Sequence, residues 1–466
     1  MREAVSFAFA MVIMMAAGAG AQSSPNPLVP PDSEIRKILV ERIDTFHMGV
    51  GFVVGVIEPQ GRRVVSYGNL NQGDPRPLNG DTIFEIGSVT KVFTSLLLSD
   101  MVQRGEVALT DPVAKYLPPE VKVPERGGRV ITFVDLSTHT SGLPRLPTNL
   151  KPKDPANPYA DYSVEQLYQF LSSYQLTRDI GSQFEYSNLG GGLLGHALAR
   201  RAGMDYEALV RSRITGPLGM SSTGIALTPE MKARLATGHD DKLAAVANWD
   251  LPTLVGAGAL RSTANDMLTF LAANLGYVKS PLASPMAAML TVRRPLGGPK
   301  GGEIGLGWLI TKPADDEIVW HNGGTGGYRS FVGFNPKTRV GIVVLSNTST
   351  ATGGDDIGMH LLDSHAPLMP APKEQREITL DPKIFDGYVG QYQLAPNFIL
   401  TITREGDQLF AQATGQSKFQ IFPEGQRDFF LKVVDAQITF ETDASGRATS
   451  LTLHQNGANM PGKRIP

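Results

Sequence analysis

The sequence predicts a mixed α/β domain followed by a small antiparallel β domain. Three observations carry that expectation. β-rich runs stand at both ends of the first part of the chain, and helical periodicity fills the stretch between them. After a Pro-rich break the pattern changes to short strands separated by turn residues.

The first strands are expected at residues 53–57 and 63–67, joined by the turn signal Pro59-Gln60-Gly61. Phe84-Glu85-Ile86-Gly87-Ser88 leads into residues 89–103, where Val89, Val92, Phe93, Leu96, Leu97 and Met101 recur at helical spacing. A buried helix therefore starts near Ser88. From Leu109 to about Leu290, helical patterns alternate with long Pro/Gly-rich loops, of which residues 144–158 are one. β character returns at residues 305–311, 317–320, 328–334 and 340–345, so strands from both ends complete one sheet. Residues 365–377 hold Pro367, Pro370 and Pro372 among charged residues and read as a linker. Beyond it, residues 398–403, 408–413, 419–422, 429–433, 437–441 and 450–454 read as short strands of an antiparallel barrel or sandwich.

The N-terminus reads as an export signal. Arg2 is followed by an almost wholly apolar stretch over residues 4–17 and by Ala19-Gly20-Ala21, a small-residue cleavage site. The segment is short for a membrane span and rich in Ala and Gly, which favours cleavage over anchoring. The expected organisation is a signal peptide at 1–21, an N-terminal linker at 22–34, a catalytic domain at 35–364, a linker at 365–378 and a β domain at 379–466. The protein is expected to be exported to the periplasm.

Composition excludes several classes. The 466 residues carry a formal net charge of −2, and phosphate binding needs a basic surface that this chain lacks, so no nucleic acid is expected. There is no cysteine, which removes disulfides, thiol nucleophiles, thiolate metal sites and a lipid-modified N-terminal cysteine together. No metal-ligand run is present, and neither a metal nor another cofactor is expected.

Three short motifs carry chemistry. Ser88-Val89-Thr90-Lys91 is the only Ser-x-x-Lys in the chain. On a helix, positions three apart share a face, so the Lys91 amine reaches the Ser88 hydroxyl. Backbone N–H groups at the helix N-terminus favour negative charge developing there, and burial of the lysine lowers its pKa and lets it accept a proton. Alone, the pattern is weak and more often describes a helix-capping serine and a surface lysine.

Tyr186-Ser187-Asn188 lies on a loop feeding a Gly-rich helix, where a tyrosine can share the serine's proton. Tyr67-Gly68-Asn69 is a decoy, because strand alternation already accounts for Tyr67. His321-Asn322-Gly323-Gly324 follows a strand expected to end at Trp320. Its glycines let a substrate approach the backbone closely and offer N–H groups for pairing and for an oxyanion hole.

Taken in order, Ser88-x-x-Lys91, Tyr186-x-Asn188 and His321-x-Gly323 resemble the three motifs of the serine β-lactamase and D-alanyl-D-alanine peptidase superfamily, in its class C-like branch. Thr138-His139-Thr140-Ser141-Gly142-Leu143-Pro144 and Pro217-Leu218-Gly219-Met220 resemble structural signatures of that branch. The resemblance covers about residues 35–360. It implies an antiparallel sheet flanked by helices plus an all-helical region, as in penicillin-binding transpeptidases. The β domain resembles the lipocalin-like barrels appended to some of these hydrolases, either as a stabilising cap or as a substrate-restricting or partner-binding module.

Residue by residue, the resemblance implies Ser88 as nucleophile and Lys91 with Tyr186 as the proton-handling pair. Asn188 would contact a substrate amide, His321 would help anchor the substrate's carboxylate side, and the N–H groups of Ser88 and Gly324 would form the oxyanion hole. β-Lactamases usually carry lysine where this chain has His321, and histidine is mostly neutral near pH 7. The implied substrates are D-alanyl-D-alanine peptides or β-lactams, with short acyl esters as an alternative. A non-catalytic periplasmic binder is the reading from another class. The expected partner is a small-molecule or peptide substrate, without a stable membrane span after cleavage, and the protein is expected as a monomer or small homo-oligomer.

Overall fold

The computed structural model describes residues 28–466 except 298–300, 314–315, 351–352, 371–375, 396–397, 417, 433–435 and 456–457. The expected signal peptide lies outside the described residues. The folded chain begins earlier than residue 35, because a helix spans Asp32–Val40 and Val29 is buried.

The expected hairpin forms as strands Gly51–Glu58 and Gly61–Gly68. Gly51–Glu58 then pairs antiparallel with Val340–Ser346, placing Phe52 opposite Ser346. From there the eight-stranded sheet continues through Arg329–Asn335, Ile318–Gly324, Leu309–Thr311 and Glu303–Ile304 to Arg294–Pro295. Strand alternation divides the apolar residues between two cores. Phe52, Val54 and Val56 pack with Ile35, Leu39, Ile357 and Leu361, on the side covered by helices Asp32–Val40 and Asp355–Leu362. Val53 and Ile57 join the larger core with Phe93, Leu97 and Phe270. A strand covered on both faces reads as a continuous apolar run, and Phe52-Val53-Val54-Gly55-Val56-Ile57 is one.

Helix Thr90–Gln103 runs through the larger core, with every residue from Thr90 to Met101 buried. Helix Asn188–Ala202 lies against it through small residues. A Cβ on Gly191 would stand 3.0 Å from Lys91 Cε, and one on Gly195 would stand 2.9 Å from Gly256 Cα. The run Gly190-Gly191-Gly192 is thus a close-approach surface, despite the low helix propensity of glycine.

The C-terminal strands close into an eight-stranded antiparallel barrel. Six of them fall on the expected segments. The other two, Gly390–Ala395 and Ala458–Ile465, pair with each other and close the barrel. Tyr388, Tyr392, Phe429 and Phe440 form its aromatic core, with centroids of the Tyr388 and Phe440 rings 4.5 Å apart. Among the described residues no helix is long and apolar enough to cross a membrane.

Candidate active site

Ser88 is positioned by a sharp turn. Strand Ile83–Glu85 pairs with Arg261–Thr263, and the chain then passes through Gly87 at φ +48° into a short 3-10 turn, Gly87–Val89, that feeds the helix. Glycine is required at 87 on two counts. Its φ is left-handed, and a Cβ would stand 2.7 Å from the Gly324 nitrogen. Ser88 is half-buried, and Lys91 is buried one turn along.

The Lys91 amine makes three contacts: Ser88 Oγ at 3.0 Å, Asn188 Oδ1 at 2.9 Å and the Ala257 carbonyl at 2.6 Å. A neutral amine has two N–H donors and one lone pair. This set matches it when the N–H groups donate to the two carbonyl oxygens and the Ser88 O–H donates to nitrogen. Burial, and then the charge of Arg145, push the Lys91 pKa well below its usual value.

The second motif is held by a helix cap. Ser187 Oγ accepts from the Gly190 N–H at 2.8 Å and donates to the Pro144 carbonyl at 2.7 Å. That cap fixes Tyr186 just outside the helix and Asn188 in its first turn. The Tyr186 ring centroid lies 4.8 Å from Lys91 Nζ, 5.1 Å from the Arg145 guanidinium carbon and 4.6 Å from the His139 ring. Burial pushes the Tyr186 phenol up to about 12, against smaller opposing effects of its hydrogen bond with Ser88 and of Arg145. The phenol is therefore protonated at neutral pH, and the Lys91 amine, with its lowered pKa, is the member of the pair free to accept a proton. Tyr67, the decoy, donates instead to Asp44 at 2.6 Å.

The third motif corrects one expectation. The strand does not end at Trp320 but runs through Gly324, with His321 opposite Val332 and Gly324 opposite Arg329. Pairing with the neighbouring strand outweighs the weak strand preference of the two glycines. Gly323 is itself a packing requirement, since a Cβ there would stand 2.0 Å from the Ile86 carbonyl oxygen. Asn322 donates to Asp355.

His321 is buried, with its Nδ1–H donating to the Asn322 carbonyl at 2.6 Å and its ring centroid 6.3 Å from that of Tyr186. Burial, then the nearby Lys91 charge, lower its pKa to about 3. The ring is neutral throughout the physiological range. It lines the site and offers no full charge to a carboxylate.

All seven expected residues thus converge: Ser88, Lys91, Tyr186, Asn188, His321, Gly323 and Gly324. The sequence reasoning missed four neighbours. The Ala257 carbonyl holds Lys91, and a backbone oxygen 166 positions away leaves no sequence signal. Tyr159 accepts from Asn188 Nδ2 at 3.2 Å. His139, at φ +55°, accepts the Ser187 N–H through Nδ1 at 3.2 Å. Arg145 lies over Tyr186. The Pro-rich loop after Pro144 and the signature around His139 were the available signals for the last three.

Comparison with known proteins identifies the family. The family model described as Beta-lactamase matches residues 40–365, and a domain of unknown function, DUF3471, matches residues 374–464. The D-alanyl-D-alanine-carboxypeptidase/endopeptidase AmpH of Escherichia coli is 31% identical over 73% of this chain and 91% of its own. Penicillin-binding protein 4* of Bacillus subtilis is 26% identical over 84% of this chain and 90% of its own. The crystal structure of a β-lactamase/D-alanine carboxypeptidase from Yersinia pestis, complexed with citrate, superposes with a TM-score of 0.60 at 29% identity, covering 68% of this chain and 93% of that one. The chain belongs to the beta-lactamase family and is a serine hydrolase of the β-lactamase/carboxypeptidase type.

Proposed function

We propose that this protein is an exported, periplasmic hydrolase that forms an acyl-enzyme on Ser88 and acts on D-alanyl-D-alanine peptides or the β-lactams that resemble them. One observation carries the reading: the 3.0 Å contact between the Ser88 hydroxyl and a buried amine whose other two contacts are carbonyl oxygens. The relatives named for D-alanyl-D-alanine carboxypeptidase and penicillin-binding activity support the substrate class. The apolar segment at residues 4–17 and the cleavage site ending at Ala21 support export.

In the proposed sequence of events, the Ser88 oxygen attacks the substrate carbonyl while its proton passes to Lys91. The N–H groups of Ser88 and Gly324 receive the developing oxyanion. Tyr186, a protonated phenol, relays a proton to the leaving amine as the C–N bond breaks and the acyl-ester remains on Ser88. Asn188 orients Lys91 and contacts the acyl amide. Water then attacks the ester, the same pair handles its proton, and Ser88 is regenerated.

A second reading, hydrolysis of short acyl esters, is favoured by the neutral state of His321, which offers a substrate carboxylate no full charge from that position. The test is to run a penicillin, a D-Ala-D-Ala peptide and p-nitrophenyl butyrate side by side on wild type and Ser88→Ala. Ser88-dependent turnover of the first two supports the main reading. Turnover of the butyrate ester alone supports the second. Absence of Ser88-dependent chemistry on all three overturns both.

A further inference from the structure

We propose that Arg145 selects the substrate, its guanidinium taking a carboxylate on the acyl portion of the molecule that acylates Ser88. The inference rests on the reading of Ser88 as nucleophile and adds a substrate class to it: acyl groups that carry an anion.

The distribution of charge around the site motivates the assignment. His321, where a cation would be expected, is buried with its Nδ1–H bound to its neighbour's carbonyl. Lys91 is buried and committed to Ser88, Asn188 and Ala257. Arg145 is different. It is exposed, and its guanidinium carbon lies 5.1 Å from the Tyr186 ring centroid. Among the described residues no carboxylate pairs with it and its side chain donates no hydrogen bond. Glu185, next to Tyr186 in the chain, is already paired with Arg178. A guanidinium held over a ring face is oriented while its N–H fork stays free, which suits bidentate capture of a carboxylate.

The backbone fixes which side of the cleft this cation serves. The Arg145 carbonyl accepts the N–H of Asn188 at 2.9 Å and of Leu189 at 3.2 Å, so residue 145 is tied to the start of the helix that presents Asn188. Asn188 in turn donates to the Tyr159 hydroxyl, and the Tyr159 ring lies 5.5 Å from that of Trp249. The guanidinium carbon's distance of 5.1 Å from the Tyr186 ring centroid places this cation beside the site rather than on remote surface. A substrate whose amide meets Asn188 therefore presents its acyl side chain to the Tyr159 and Trp249 rings, with the exposed Arg145 cation held beside Tyr186.

Two esters with the same leaving group isolate the effect: p-nitrophenyl butyrate, with a neutral acyl chain, and mono-p-nitrophenyl glutarate, whose acyl chain ends in a carboxylate. Both are measured on wild type, Arg145→Gln and Arg145→Lys, at low and at high salt. Wild type should prefer the glutarate. In Arg145→Gln the glutarate-to-butyrate ratio of kcat/KM should fall roughly ten- to a hundredfold, as expected for loss of a charged hydrogen-bonded contact. Arg145→Lys should keep part of the preference, and high salt should weaken it in wild type. A wild type that turns over butyrate through Ser88 without preferring glutarate overturns the inference and leaves the reading of Ser88 standing. An equal fall for both esters with a displaced pH profile also overturns it, reducing Arg145 to an electrostatic neighbour of Tyr186. Loss of all Ser88-dependent turnover in wild type overturns the underlying reading instead.

Discussion

Replacing Lys91 by methionine separates what the amine does for chemistry from what it does for folding. Methionine has nearly the length and volume of the lysine stem, which matters because Gly191 leaves only 3.0 Å to Lys91 Cε for a Cβ. The substitution removes the donor to the Ala257 carbonyl at 2.6 Å and to Asn188 Oδ1 at 2.9 Å. Each acceptor left bare costs about 1–3 kcal/mol. Against this, a buried amine with a strongly lowered pKa no longer has to be desolvated, and that relief is of similar size. The two effects oppose, so the melting temperature should move by only a few degrees, at about 2–4 °C per kcal/mol for a domain of this size. Activity should behave otherwise. Removing a positioned general base lowers the acylation rate by about 10²–10⁴, or roughly 3–5 kcal/mol of barrier. The assay is the rate of adduct formation with a fluorescent penicillin, measured beside thermal unfolding followed by circular dichroism. A variant that stays folded and acylates within tenfold of wild type would refute the role given to Lys91. A loss of activity matched by a comparable loss of folded protein would refute the separation.

Three further outcomes follow from the same contacts. Gly323→Ala should cost about 1–3 kcal/mol through overpacking, because its Cβ would stand 2.0 Å from the Ile86 oxygen and 2.5 Å from Ser330 Oγ; the acylation rate should drop as the Gly324 N–H shifts, and denaturant unfolding beside penicillin labelling checks both. His321 has a folded-state pKa of about 3, below the ordinary 6.5, so the unfolded chain takes up the proton first as the solution is acidified. Stability should therefore fall from about pH 6.5 towards pH 3, by up to about 1.4 kcal/mol per pH unit from this group, and His321→Gln should flatten that slope in urea titrations. Phe440→Ala, which removes a fully buried ring from the aromatic core of the barrel, should destabilise those strands by about 3–5 kcal/mol. Hydrogen exchange across strands Ala436–Thr442 and Ala448–Gln455 reads the effect directly.

The site was legible where its chemistry is local. Ser88 and Lys91 are one turn apart on a helix whose apolar spacing is plain, and Tyr186-Ser187-Asn188 sits beside glycines that allow close approach. What stayed hidden depends on contacts distant in the chain. The Ala257 carbonyl and the Arg145 guanidinium reach the site only through folding, and neither position stands out by residue type. His321 was recognised as a departure from lysine, but its loss of charge follows from burial, which the sequence does not display. The same distinction applies to the fold. Strand Gly51–Glu58 and its partner Val340–Ser346 announce themselves as apolar runs. Strand Ala458–Ile465 contains Pro461 and Gly462, which argue against a strand locally. Barrel closure against Gly390–Ala395 supplies what local propensity lacks.

The central claim is that the Ser88 hydroxyl, activated by Lys91, becomes the acyl carrier. Intact-mass analysis after exposure to a penicillin, followed by peptide mapping, tests it at the atom concerned. The account predicts one added penicillin mass, located on the peptide containing Ser88 and absent from Ser88→Ala. An adduct on another residue, or one that persists in Ser88→Ala, would contradict it.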